Sequence, residues 1–223
     1  MVRLWQMIVV ALVGAFSALA APLSAQAHPH VWVKVETTVV IKEGRITGLA
    51  HKWTFDDAYT TMAVEGLDTN QDGTYSREEL AELAKVNIDG LKEFSYFTYP
   101  KLGDAALKVN DPTDAWLEYK DGMLSLFFTA PLAEPVLADA EGFTFSVYDD
   151  TFFIAFEFVA ENAVKLSAGA PAGCSVNVGI PANELEKLQQ LNDAFGGQLT
   201  SGNQNMGMGG GYAKTVTLGC KKS

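Results

Sequence analysis

Residues 68–79, D-T-N-Q-D-G-T-Y-S-R-E-E, place Asp68, Asn70, Asp72, Thr74, Ser76 and Glu79 at the first, third, fifth, seventh, ninth and twelfth positions of a twelve-residue loop. That spacing suits a hard cation. Short oxygen-bearing side chains wrap calcium, the Thr74 carbonyl faces it, Ser76 acts through a water, and Glu79 closes the shell with two oxygens. Gly73 falls at the sixth position, where such a loop turns sharply. The pattern occurs once in the chain. Calcium is abundant outside the cytosol, so the expected role is a staple between two helices rather than a signalling sensor.

A second chemistry lies in the histidines, all three of which fall within the first 51 residues. If export cleavage follows Ala27, the free amine and imidazole of His28 chelate one ion together, and His30 adds a third nitrogen from the same strand face. Amine and imidazole suit zinc, nickel, cobalt or copper. Pro29 has no amide proton to lose, which blocks the square-planar mode that uses deprotonated backbone amides. A Glu43-Gly44 turn with Lys42 opposite Arg45 sets a hairpin register that puts His30 across from Asp57 and His51 across from Glu36. Asp57 is then a candidate carboxylate ligand or supporting partner for His30. His51 shares a face with Leu49, Trp53 and Phe55 and is expected to be packed and hydrogen-bonded, not a ligand. Asp149 and Asp150 read as hairpin turn residues between two aromatic strands, with a role as extra ligands the secondary reading. Met206 and Met208 read as loop composition rather than soft-metal ligands.

The elements that must position these groups follow from periodicity. Residues 31–41 alternate at Val31, Val33 and Val35, and residues 45–55 alternate after the turn, which predicts a hairpin. Helical spacing takes over at Tyr59, Met62, Ala63 and Leu67 before the calcium loop and at Leu80, Leu83 and Leu91 after it. Short β segments are expected at 115–119, 123–128, 143–147 and 152–158, spaced as in an antiparallel sheet or sandwich. Asn183 with Glu186 forms a capping-box pattern for a later helix, which Gly196-Gly197 stops. A last strand, 213–218, brings Cys220 back to Cys174.

Composition sets the compartment. The chain has 223 residues, 48% of them hydrophobic, enough to bury a core. Residues 1–27 combine Arg3, an apolar run over 7–21, Pro22 and the small-residue end Ala25-Gln26-Ala27, the layout of a cleaved signal peptide. Its removal takes the formal charge from −11 to −12, because Arg3 is the only charged residue lost. So acidic a surface repels nucleic acid and favours cations. No later stretch approaches the ~20 apolar residues of a membrane span. In an oxidising compartment, two cysteines without neighbouring Cys or His at ligand spacing read as the disulfide Cys174–Cys220.

The start H-P-H-V-W, the segment W-T-F-D-D at 53–57, the calcium loop and V-Y-D-D-T-F-F at 147–153 together resemble the periplasmic family called domain of unknown function 1007. The resemblance spans residues 27–158. It implies a periplasmic component of a transport system for nickel, cobalt or zinc. It also marks His28, His30, Asp56, Asp57 and Asp149 as candidate metal ligands by their match to the family motifs. The chain departs from the family pattern at Asp150, where a proline is expected.

The combined expectation is an α+β chain: a signal peptide over 1–27, then one periplasmic domain over 28–223. That domain is an antiparallel β-sheet or sandwich with an EF-hand-like helix-loop-helix inserted at 57–92 and a C-terminal helix. Its expected work is non-enzymatic, since no nucleophilic triad or acid-base pair is visible. It captures a transition metal for a membrane transporter over a calcium-fixed scaffold. The alternative is a calcium-stabilised, β-rich module that binds another envelope protein and carries no metal cargo.

Overall fold

The computed structural model describes residues 29–151, 153–159, 162–180, 186, 190 and 214–220. Residues 1–28 lie outside this set. So do the two late methionines and all of the expected C-terminal helix except Glu186 and Gln190, which are helical.

The first hairpin forms as its turn chemistry requires. Strand β1 (Val31–Lys42) pairs antiparallel with β2 (Arg45–Phe55) across Glu43 and Gly44, whose φ angles of 50° and 71° both lie in the left-handed region. Two left-handed turn residues match the twist of the flanking strands. Lys42 faces Arg45 as expected, but the register slips at Gly48, and Thr47 is the extra residue of a bulge. His51 therefore lies opposite Thr37, not Glu36. The extra residue shifts the alternation of β2 by one position, so Ile46 before the bulge and Leu49, His51, Trp53 and Phe55 beyond it all face the core.

Two sheets share one apolar core. The larger has the order β5 (Trp116–Lys120), β6 (Met123–Leu137), β2, β1, β8 (Ile154–Phe158), with β9 (Val164–Leu166) also on β1. The smaller runs β10 (Cys174–Gly179), β11 (Thr215–Cys220), β7 (Phe143–Val147), β3 (Thr98–Leu102), β4 (Ala105–Ala106). The sheets are antiparallel except where β8 and β9 run parallel to β1. Those two pairings depart from the purely antiparallel expectation and need long connections, which leave no local sequence signal. The Asp149-Asp150 turn is likewise not a hairpin: β7 and β8 belong to different sheets, and the segment crosses between them.

Inward positions of β1, β2 and β6 supply Val33, Val35, Leu49, Trp53, Leu126 and Phe128, while Phe143, Phe145 and Val216 come from the other sheet. Helix α1 (Asp57–Ala63) and helix α2 (Ala81–Leu91) close one end of this core. Leu80 and Ala84 are buried there, and Leu67, Leu83 and Leu91 pack against them, but Met62 points to solvent and Val64 takes its place. Cys174 and Cys220 face each other on β10 and β11 and are disulfide-bonded, as the sequence implies. Among the described residues no helix is long and apolar enough to cross a membrane.

Candidate functional site

Two aspartates fix the start of β1, one from each side. Asp56 follows β2 directly and caps α1. Its Oδ1 accepts from the Tyr59 N–H at 2.9 Å and its Oδ2 from the Trp32 N–H at 2.7 Å, and its own N–H donates to the Trp32 carbonyl at 3.0 Å. An aspartate there satisfies an orphan donor of the helix and opposes the positive end of its dipole. Asp149, only 5% exposed, accepts from the Thr151 N–H and hydroxyl with Oδ1 and from the Ile154 N–H with Oδ2. Ile154 opens β8 and pairs with Val31, so Asp149 holds the neighbouring strand as Asp56 holds the hairpin.

His30 lies between these supports. Its N–H donates to the Phe153 carbonyl at 2.8 Å, and its exposed imidazole rests 5.0 Å from the Phe153 ring. Asp57 is exposed in the first turn of α1, and the bulged register sets Asp56 instead against the strand start. The expected pairing of His30 with Asp57 gives way accordingly. His28 lies outside the described residues. Among those described, no group of three or more His, Cys, Asp or Glu side chains gathers closely enough to hold a metal ion. Asp56 has used two of its roughly four lone-pair positions and Asp149 three, so Asp56 keeps the greater capacity for a further partner.

These bonds give Asp56 a mechanical role with a measurable size. Replacing Asp56 by Ala is expected to cost about 1–2 kcal/mol in urea unfolding, the range for a lost cap. Asp57→Ala, on an exposed side chain, is expected to stay within about 0.5 kcal/mol.

His51 is where the sequence places it, in the core and 3% exposed, between Trp53 and Phe128. Nδ1 lies 2.9 Å from the Thr37 hydroxyl and Nε2 lies 3.2 Å from the Thr98 hydroxyl, so the ring bridges the two sheets. The Thr98 hydroxyl donates to the Tyr96 carbonyl. Its oxygen therefore accepts from His51, which puts the proton on Nε2 and leaves Nδ1 to accept from Thr37. Burial pushes the imidazole pKa down to about 3.

Residues 68–79 lie between α1 and α2 with their carboxylates turned onto their own backbone. Asp68 accepts from the Asp72 and Gly73 N–H groups, Asn70 Oδ1 from Asp72, and Asp72 from the Thr74 N–H and hydroxyl. Glu79 reaches back across the loop. Its Oε2 accepts from the Ser76 N–H and hydroxyl, and its Oε1 from the Thr69 N–H and hydroxyl. The Ser76 backbone and Thr69 hydroxyl lead in holding the Glu79 carboxyl down to about 2, so it is an anion at any physiological pH. Gly73 takes the positive φ of 79° that the sixth position calls for. The loop carries three carboxylates and an amide oxygen, donors of the hard type that calcium takes, but as they lie here they bond to their own backbone and do not gather into a group that could hold a metal ion. Tyr75 packs edge-on against Tyr119 of β5 at 4.7 Å, and Tyr59 donates to Asn87 Oδ1, linking α1 to α2.

One cluster had no sequence signal. Ser95, Tyr96 and Phe97 take φ angles of 52°, 54° and 45°, a left-handed run without glycine. Such residues cost roughly 1–2 kcal/mol each, so tertiary contacts must hold them. Tyr96 donates to Asp111 at 2.8 Å, Asp111 pairs with Lys92, and Phe97 stacks on Phe94 at 5.1 Å.

An uncharacterised protein of Haemophilus influenzae is 26% identical over 196 residues, covering 87% of this chain and 92% of its own. An uncharacterised 15.5 kDa protein from the trpE 3′ region of Spirochaeta aurantia is 34% identical over 99 residues, covering 44% of this chain and 70% of its own. The model of the family described as protein of unknown function (DUF1007) matches residues 13–220, and the chain belongs to that family.

Proposed function

We propose that this is an exported, periplasmic accessory protein. It captures a transition metal at the start of β1 and passes it to a membrane transporter, while calcium in the 68–79 loop fixes the scaffold. The observation that carries the reading is the meeting of three distant segments around one histidine: His30 sits on Phe153, and Asp56 and Asp149 brace the strand ends beside it. Both aspartates are occupied with backbone. In this reading they position the histidine terminus, and the metal takes its nitrogens from His28 and His30, with Asp56, which accepts fewer bonds than Asp149, the source of an oxygen.

Titration of zinc, nickel, cobalt and copper into protein beginning at His28 tests the proposal. Saturable binding tighter than millimolar is expected, with loss of about tenfold or more in affinity when His28 and His30 are both replaced by Ala. Equal binding by the doubly replaced protein sinks the cargo reading. The alternative, an envelope interaction module without metal cargo, draws support from Trp32 and Phe153, which are 53% and 54% exposed beside the same strand start.

A further inference from the structure

The larger sheet has an outward face that the metal reading does not use. Alternation along β1 and β2 turns Val33, Val35 and Trp53 inward and leaves Lys34, Glu36 and Lys52 outward. Following the pairing register across the sheet, the outward positions carry Lys34 and Lys42 from β1, Arg45 and Lys52 from β2, Lys120 from β5 and Lys165 from β9. Opposed to them stand Glu36, Glu118 and Glu157. At the strand positions six cations stand against three anions, and the adjoining turns add Glu43 and Asp121, which leaves a surplus of one positive charge on a chain whose formal charge is −11. Arg77, 4.6 Å over the Trp116 ring, and Asp114, which accepts from the Thr129 hydroxyl, add one charge of each sign and do not change it.

The face is shaped as well as charged. A hollow of about 230 Å³ opens on it, and Lys52, Lys165, Glu36, Thr129, Trp116 and Phe127 are among the residues that line it. Trp116 and Phe127 stack with their rings parallel and the ring centroids 5.1 Å apart. Lys52 pairs with Glu36 at 2.9 Å, whereas Lys34 and Lys165 are exposed and have no ion-pair partner among the described residues. At the β1 end of the face stands the exposed ring of Trp32.

We infer that this face docks an acidic polypeptide segment of a partner protein, its carboxylates on Lys34 and Lys165 and an apolar side chain in the hollow. A segment lying on the face sits within about one Debye length of its lysines and is screened from the acidic remainder. An anionic bilayer is too broad for that, and it meets the repulsion of the whole negatively charged molecule. Tryptophan and arginine at the surface are also the side chains that carry binding energy between proteins. The inference requires no transition metal and goes beyond the cargo reading.

The test is fluorescence anisotropy of a labelled peptide of alternating Glu and Tyr, titrated with the calcium-equilibrated protein at low and at physiological salt. Saturable binding that weakens with salt is expected. Lys34→Glu combined with Lys165→Glu is expected to weaken it by about tenfold or more, since like charges then meet across the interface. Lys101→Glu, exposed on β3 of the other sheet, is expected to change it less than about twofold, and matched melting curves confirm folding of both variants. Absence of saturable peptide binding, or equal loss in the two variants, overturns the inference. So does charge-dependent binding to phosphatidylglycerol vesicles with none to the peptide.

Discussion

Calcium added to chelator-treated protein is expected to raise the melting temperature by roughly 5–10 °C. At a calcium concentration about 100 times the dissociation constant, binding to the folded state alone stabilises it by about 2.7 kcal/mol. For a domain of this size each kcal/mol moves the transition by about 2–4 °C. The 68–79 loop is the segment expected to respond. Glu79 draws the two ends of the loop together through Ser76 and Thr69, so Glu79→Gln, which keeps the shape and removes the charge, is expected to abolish the rise. Glu78→Gln, one residue away and outside the ligand positions, is expected to retain it. Identical melting of the wild type in calcium and in chelator would take the cation out of the scaffold.

The folding signals were legible where they were local. Glu43-Gly44 announced a turn, and both residues adopt the left-handed conformation it demands. Alternating valines named the buried face of β1, and residues 143–147 form a strand with the expected bounds. The register was missed by one residue although a sign of it was present. Gly48 interrupts an otherwise regular strand, and a Cβ there would lie 2.9 Å from the Ala130 carbonyl oxygen. An isolated glycine inside a strand pattern signals a bulge or a close backbone approach, and here it signals both.

What was not legible depends on contacts between segments far apart in the chain. Parallel pairing of β8 and β9 on β1 follows from which strand edge is left open after β6 joins β2, and no window of sequence records it. The candidate site divides the same way. Its members were recognisable by type and motif, but Asp56 and Asp149 turn out to spend their oxygens on backbone N–H groups of β1, α1 and β8. For Asp56 the signal existed, since an aspartate immediately before a helical pattern is a cap. For Asp149, the strand it serves begins in a different sheet from the one it follows, so only the fold could reveal it.

Lowering the pH from 6.5 to 4 is expected to destabilise the wild type by on the order of 3 kcal/mol more than a His51→Gln variant. The sign follows from the direction of the shift. The folded-state imidazole is held down to about 3 while the unfolded one titrates at its ordinary value of 6.5, so between these values the unfolded chain binds the additional proton. Stability from this group is full above about pH 6.5, falls as the pH drops, and stops falling below about 3. Each pH unit within that window costs about 1.4 kcal/mol. Burial is the only cause of the shift, so no carboxylate compensates the charge when it forms. A proton on Nδ1 also forces Thr37 to stop donating to the ring and to turn its hydroxyl hydrogen elsewhere, while Thr98 goes on accepting from Nε2. Glutamine preserves one donor and one acceptor between the two threonines but does not titrate, which isolates the histidine from the carboxylates that protonate over the same range. Urea midpoints for the two proteins across this pH interval give the difference directly. Parallel pH profiles would mean that the charged ring finds water or another partner, and that the bridge between the sheets at His51 opens under acid without cost.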